Sequence, residues 1–254
     1  MPSILVVGDS CIDEYQYCTT SRLAPEAPVP VVEVIRADIT EGMAANVERN
    51  LMRLGSEVQL VTNSSWREFR KTRIVDARSN HMFLRVDQVG RPNRINIETI
   101  HTWTQADAII VSDYDKGFLE REDIEAICAM HPLVFLDTKK PLDDWANQAA
   151  YIKINEFEYQ HSSMWSKSHL LDKTIRTLGG DGCEFRGQLF PAKRVQVIDV
   201  SGAGDTFLAS LVHRFMYSKD IVVSIEFANH CAGQVVQSIG MSLPPTLGEL
   251  PSSN

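Results

Sequence analysis

The apolar residues of this chain fall into two spacings. Short runs at Ile4-Leu5-Val6-Val7 (closed by Gly8), Val58 to Val61, Ala108 to Val111, Leu133 to Leu136 and Tyr151 to Ile154 have the length of buried strands. Between them the spacing turns helical. Val47, Leu51 and Leu54 recur at i, i+4 and i+7, with Gly55 as a stop, and residues 119–130 form a second helix. Phe207, Leu208, Leu211, Val212, Phe215 and Met216 make the apolar face of a third helix, and a last one is expected from about Ile221 to Ser238. Val195 to Val200 reads as one more strand. Pro25, Pro28 and Pro30 disfavour helix over residues 19–30, and the β-branched run Val29, Val31, Val32, Val34 and Ile35 reads as a strand. Thr72 to Val75 and Met82 to Val86 flank a polar turn at Ser79-Asn80.

This alternation predicts one α/β domain over residues 1–254, with an appended β layer from about 14–40 and 71–87. Polar residues stand where apolar runs stop, at Asp9, Asp113, Asp137 and Asn155, and ligands of open α/β sheets bind at the carboxyl ends of strands. The tail from Leu243 to Asn254 is rich in Pro and Ser and is expected to be loosely held.

Charge narrows the partners. With 25 Lys+Arg against 33 Asp+Glu the formal net charge is −8, which opposes nucleic acid and anionic membrane. The cysteines, Cys11, Cys18, Cys128, Cys183 and Cys231, are odd in number and form no CxxC pair, so a reducing compartment is expected. The first apolar run is too short for a signal peptide and nothing reaches the length of a membrane span, which points to the cytoplasm. Scattered histidines give no zinc spacing.

The sharpest chemical signal is Asp199-Val200-Ser201-Gly202-Ala203-Gly204-Asp205-Thr206. A turn of small residues leads into a helix N-terminus, whose free N–H groups and positive dipole end attract an anion. Asp205, in the first turn, is placed to take a proton from an attacking hydroxyl, and phosphoryl transfer needs that pairing of donors and base. An Asp-started helix after a glycine turn is the plain alternative. The motif is neither a Walker A loop nor GxGxxG.

That octapeptide resembles the D-x-x-G-A-G-D-T signature of ribokinase-like (PfkB) sugar kinases, and further marks follow the family's order. Gly8-Asp9 through Asp13 resembles the first-strand motif whose last Asp binds sugar hydroxyls, and Gly42-Met43-Ala44-Ala45-Asn46 resembles GG-x-x-N. Asn155-Glu156-Phe157-Glu158 resembles N-x-x-E, and Thr177 to Gly182 resembles the T-x-G-x-x-G nucleotide loop. Within the family the resemblance is strongest to D-glycero-β-D-manno-heptose 7-phosphate kinases, the kinase half of bifunctional ADP-heptose enzymes. Thr20 to Val32 is similar to S-R-I-S-P-E-A-P-V-P-V-V, Ser112 to Gly117 to S-D-Y-x-K-G, and Asp137-Thr138-Lys139 to D-P-K. Lys71-Thr72-Arg73 and Leu84 to Asp87 are similar to its K-x-R and L-R-x-D strands.

The resemblance implies a ribokinase-like fold, with a mostly parallel central sheet flanked by helices and a small β-sheet lid. It implies ATP-dependent phosphorylation of the anomeric hydroxyl of D-glycero-D-manno-heptose 7-phosphate. Asp205 would be the base, with Gly202, Ala203 and Gly204 N–H groups on the γ-phosphoryl. Asp13, Gly42 and Asn46 would bind the sugar, and Arg73, Arg85 and Lys116 its phosphate. Lys139, Asn155, Thr177, Gly179, Gly182 and Asn229 would hold the nucleotide, Glu158 a magnesium-bound water, and Asp199 and Ser201 a monovalent cation such as K⁺. Each has a plain reading beside it: a turn Asp, a solvated Lys or Arg, a helix-start Glu, an outward Asn. The lid, with an apolar face and open edges, is expected to pair with a second copy.

Three departures bear on this. Met43 stands in place of a second glycine and is expected to reshape the sugar pocket. Between Val61 and Lys71 roughly a βα unit is missing. No counterpart of the nucleotidyltransferase half occurs, so only a kinase step is expected. Phosphorylation of another sugar or sugar phosphate, or a degenerate kinase that only binds sugar phosphate, remain as alternatives.

Overall fold

The computed structural model describes residues 1–88, 90–100, 105–163 and 168–245. Trp103, Trp165 and the tail beyond residue 245 lie outside the described residues. The central sheet has eight strands: β1 (Ser3–Gly8), β4 (Glu57–Thr62), β7 (Ala108–Asp113), β8 (Val134–Thr138), β9 (Tyr151–Asn155), β10 (Thr174–Thr177), β11 (Cys183–Phe185) and β12 (Gln188–Phe190). Their spatial order is β12-β11-β10-β9-β8-β7-β1-β4, parallel from β10 to β4, with an antiparallel hairpin at the other end. A second sheet, ordered β3-β2-β5-β6, contains β2 (Ser10–Leu23), β3 (Pro30–Met43), β5 (Arg70–Asp76) and β6 (Met82–Gln88). Its strands reach beyond the expected 14–40 and 71–87 at both ends.

The helices are α1 (Ala44–Leu54), α2 (Arg121–Met130), α3 (Glu156–Gln160), α4 (Ser168–Leu171), α5 (Ala203–Ser218) and α6 (Ile221–Val235). They divide the core in two. One cluster joins Val6, Ile110 and Phe135 of the sheet to Val47 and Leu51 of α1 and to Leu208, Leu211 and Val212 of α5. The other packs Leu5, Val111, Leu136 and Ile152 against Ile124 and Ile127 of α2. Alternate residues of β1 thus enter opposite layers, as a strand buried on both faces requires. Helix α1 stops at Gly55, whose φ of 94° is the left-handed cap that glycine adopts most easily.

The expected strand at Val195 to Val200 is not one. Ile198 and Asp199 both donate their N–H to Val236 O at the end of α6 (2.8 and 3.2 Å), and no ladder forms. The segment is tied instead to the end of α6, and Val195, Val197 and Val200 line a cavity. The β11–β12 hairpin escaped sequence reading, although its turn, Arg186-Gly187 with φ of 51° and 74°, carries a glycine suited to such tight turns.

The missing βα unit has a structural counterpart. Beyond Thr62 a single 3₁₀ turn (Trp66–Glu68) carries the chain directly from β4 into β5 of the second sheet. β4 is consequently the last strand of the central sheet.

Because Leu51 is fully buried under α5 while Met52 points outward, Leu51→Ala should cost about 2–5 kcal/mol and Met52→Ala less than about 0.5 kcal/mol. Denaturant titration of both variants checks the orientation of α1.

Candidate active site

The carboxyl ends of the parallel strands, the start of α5 and one face of the second sheet converge on Asp205. This residue lies in the first turn of α5 and is 3% exposed. Its Oδ2 accepts a hydrogen bond from Asn46 Nδ2 (2.9 Å) and its Oδ1 one from the Tyr114 hydroxyl (2.5 Å). Burial pushes the carboxyl above its ordinary range, while the Tyr114 and Asn46 donors and the Lys153 ammonium pull the other way. Asn46 is fixed in turn by Arg49, which also reaches Met241 O. The apolar spacing of α1 buries Val47, Leu51 and Leu54, and the next-door face brings Asn46 to Asp205.

Glycine is required around this turn. Gly202 has φ 76°, and a Cβ there would lie 2.7 Å from Met241 Sδ and 3.0 Å from Asn46 Nδ2. A Cβ on Gly42 would meet Asp13 Oδ2 at 2.0 Å. Ala203 N–H closes the turn onto Val200 O (3.2 Å), so of the three N–H groups expected to face phosphate, Gly202 and Gly204 remain.

Asp199 serves as a brace. Its Oδ1 accepts Ser201 N–H (2.9 Å), and its Oδ2 accepts the Tyr15 hydroxyl (2.8 Å) and Gly240 N–H (3.0 Å). Burial raises its pKa, yet these donors outweigh it and hold the group below its ordinary value. Where a cation was expected beside Asp199 and Ser201, the structure places N–H and O–H donors.

A cavity of about 520 Å³ opens on the other side of the turn. Thr177, Gly179 and Gly182 line it together with Ala203, Gly204 and Asn229, so the expected nucleotide loop and the helix N-terminus share one pocket. Its volume is in the range of small-molecule sites. Val195, Val197 and Val200, expected in a strand, supply apolar wall. Asn229 lines the cavity, but its amide donates to Phe190 O (3.0 Å).

Asn155 and Glu158 form a capping box at the start of α3, with Asn155 N–H on Glu158 Oε2 (2.8 Å) and Glu158 N–H on Asn155 Oδ1 (2.8 Å). Lys139 Nζ also bonds Glu158 Oε1, so the expected magnesium-shell carboxylate is engaged by Asn155 and Lys139. Burial alone would lower the pKa of Lys139, but Asp137 and Glu158 raise it above its ordinary value.

The cations expected on the substrate phosphate separate. Arg73 Nη1 pairs with Asp13 Oδ1, and both are largely buried. Arg85 lies on β6 with its guanidinium on Asp87 (2.8 and 2.9 Å). Both guanidiniums of the expected clamp are thus engaged by carboxylates, Arg73 by Asp13 and Arg85 by Asp87. On the same face as Asp13 and Arg73 stands Lys71, with Nζ 5.1 Å from the Tyr114 ring and no carboxylate partner among the described residues. Lys116 is half-buried, and its N–H approaches Asp9 Oδ2 at 3.5 Å.

Sequence reading missed Lys153. It is the lone charge in the buried strand Tyr-Ile-Lys-Ile-Asn, ion-paired to Asp137 at 2.6 Å, and its Nζ lies 3.1 Å from where a Cβ on Gly204 would be. Charge isolated in an apolar run was the available signal. Tyr114 stood in a quoted motif without a role. Met43 adopts φ 62°, ψ −131°, a region natural to glycine, and packs its buried side chain against Cys11, Phe69 and Tyr114.

Asp9 holds the loop that carries Tyr114. Its Oδ2 accepts Tyr114 N–H (2.8 Å), and burial, then the neighbouring Asp113, push its pKa up to about 6 from an ordinary 3.8. Across that window the folded state retains a proton that the unfolded state has lost, so stability falls as pH rises and the full penalty stands above about pH 6. Asp9→Asn should therefore stabilise the protein more at pH 7.5 than at pH 4. Denaturation at both values tests this, and a gain that does not grow with pH refutes it.

Comparison with known proteins gives concordant results. A sequence profile described as pfkB family carbohydrate kinase matches residues 96–247. The chain is 31% identical to Bifunctional protein HldE of Nitratiruptor sp. over 292 aligned positions, covering 94% of this chain and 62% of that protein. It is 31% identical to Bifunctional protein HldE of Helicobacter pylori over 300 positions, covering 96% and 64%. The chain thus spans less than two thirds of these relatives. The alignments are longer than its 254 residues, so the relatives carry segments it lacks. The ribokinase structure from Thermotoga maritima superposes with a TM-score of 0.70 at 15% identity, covering 98% of both chains, which establishes a ribokinase-like fold.

Proposed function

Because this chain belongs to the pfkB family of carbohydrate kinases, we propose that it transfers the γ-phosphoryl group of ATP to the anomeric hydroxyl of a heptose 7-phosphate. One observation carries the chemistry: a buried carboxylate, Asp205, stands where a glycine-turn helix N-terminus, a cavity of nucleotide size and the Asp13 face of the second sheet meet. The sugar rests between that sheet, acting as a lid, and α1. Asp13 and Asn46 bind its hydroxyls and Gly42 leaves room for them. Asp205 takes the proton of the attacking hydroxyl. The oxygen bonds to the γ-phosphorus as the bond to the bridging oxygen breaks and ADP leaves. Charge on the transferring group is met by Gly202 and Gly204 N–H groups, the α5 dipole and the Lys153 ammonium.

Among the described residues no cluster of three or more His, Cys, Asp or Glu is poised to hold a metal. This fits Mg²⁺ carried in on nucleotide phosphates, because that ion keeps several waters. Glu158 and Asp137, whose Oδ1 has no hydrogen-bond partner among the described residues, would hold its water shell, and the ion would neutralise phosphate charge. No step is assigned to K⁺.

The heptose rests on the resemblance of Thr20 to Val32, Ser112 to Gly117 and Asp137 to Lys139, and on the HldE relatives. A dianionic substrate must find local cations in a chain of net charge −8. Lys71, which has no carboxylate partner among the described residues, joins Lys116 and the carboxylate-paired Arg73 and Arg85 as the cations for this role. ADP release measured over a panel of sugars and sugar phosphates tests the substrate: equal kcat/KM for phosphorylated and free heptose would move the reading to a simple sugar kinase. Lys71→Ala should raise KM for the sugar phosphate by about ten- to a hundredfold while KM for ATP holds. Asp205→Asn should lower kcat by about two to four orders of magnitude, and near-parental turnover removes the base assignment.

The lid also supports a homodimer. On its face opposite Asp13, Val34, Ile39, Leu84 and Val86 are exposed. A second copy laid against that face would bury them. Light scattering should give twice the chain mass, and Leu84→Glu with Val86→Glu should give a monomer; a parental monomer at micromolar concentration excludes the dimer.

A further inference from the structure

Resting on the assignment of Asp205 as the base, we propose that the Tyr114 hydroxyl occupies the seat of the accepting hydroxyl while sugar is absent, and so denies that seat to water. Both carboxylate oxygens of Asp205 already receive a donor, Tyr114 on Oδ1 and Asn46 on Oδ2. A carboxylate so capped is a weaker base, and an attacking hydroxyl must displace one of the two. Asn46 sits inside α1, tied by Arg49. Tyr114 rides instead on the loop after β7, between β-sheet and helix, where Asp115 and Gly117 take φ of 54° and 101°. Tyr114 is the donor that yields.

Its ring has a second set of ties. Lys71 Nζ from the lid and Lys139 Nζ from the end of β8 lie 5.1 and 5.2 Å from the ring centroid, within cation–π range. An incoming sugar phosphate competes for both kinds of tie. Its hydroxyl replaces the phenol on Asp205, and its phosphate draws Lys71 from the ring. The ring is thereby released by the two features that define the substrate.

The benefit is protection of ATP. With nucleotide bound and Asp205 uncapped, water is the available acceptor. Asp205 would take its proton, the water oxygen would bond to the γ-phosphorus, the bond to the bridging oxygen would break, and ADP and inorganic phosphate would leave. The phenol blocks this by holding Oδ1 of the base, where a water would otherwise hand over its proton.

The test uses the full chain with Mg²⁺ and ATP, first without sugar and then with D-glycero-D-manno-heptose 7-phosphate. Tyr114→Phe should raise sugar-free ATP hydrolysis about tenfold or more and lower KM for the sugar phosphate, because the competitor on the base is gone. Tyr114→Leu should move both in the same direction, which covers a phenylalanine variant that folds poorly. Combining Tyr114→Phe with Asp205→Asn should return hydrolysis to background. Sugar-free hydrolysis that stays level or falls in both Tyr114 variants overturns the proposal, as does raised hydrolysis that survives in the double variant. Full kinase activity in Asp205→Asn alone would instead overturn the base assignment, and the two failures are therefore distinguishable.

Discussion

A carboxylate buried at the start of a helix is the constraint on which the rest of this structure depends. Taking Asp205 out of water is costly unless donors surround it. The fold supplies them from distant parts of the chain: Asn46 from α1, the Tyr114 hydroxyl from the loop after β7, and the field of Lys153 from β9. Each donor is itself held. Arg49 fixes Asn46, Asp9 suspends the Tyr114 loop, and Asp137 orients Lys153. Two of the polar residues at the strand ends, Asp9 and Asp137, are thus parts of one support for Asp205.

Much of the fold was legible because its strands are buried on both faces. Ile4 to Val7 and Ala108 to Val111 read as continuous apolar runs, and Val47, Leu51 and Leu54 read as a helix, since burial alone sets those patterns. Val195 to Val200 misled for the same reason. Those valines are apolar because they wall a cavity, and a run of valines does not distinguish a ligand-facing wall from a ladder. The short β11–β12 hairpin carries too few residues for periodicity to register.

At the site, spacing showed which residues lie near the turn but not what each touches. Asp205 and the glycines came directly from one motif, because a sharp turn into a helix is local in sequence. Arg73 was expected to meet substrate, and its pairing with Asp13, sixty residues away in the chain, was not visible from spacing. Asn155 and Glu158, expected beside nucleotide and metal, also cap α3 and hold Lys139, contacts that spacing alone did not show. Pairings across strands decide such roles, and register was not readable from one sequence.

The Gly42-Met43 step joins the second sheet to α1. Met43 holds a backbone conformation that strains a side chain-bearing residue by about 1–3 kcal/mol, and its pairing with Ser10 and its packing against Cys11, Phe69 and Tyr114 keep it there. A second glycine would make this joint slack. With methionine the joint is held in tension: any turning of the second sheet about it would free the backbone strain but give up the contacts with Cys11, Phe69 and Tyr114. The seating of the second sheet and the packing around the Tyr114 ring are thereby coupled through one side chain.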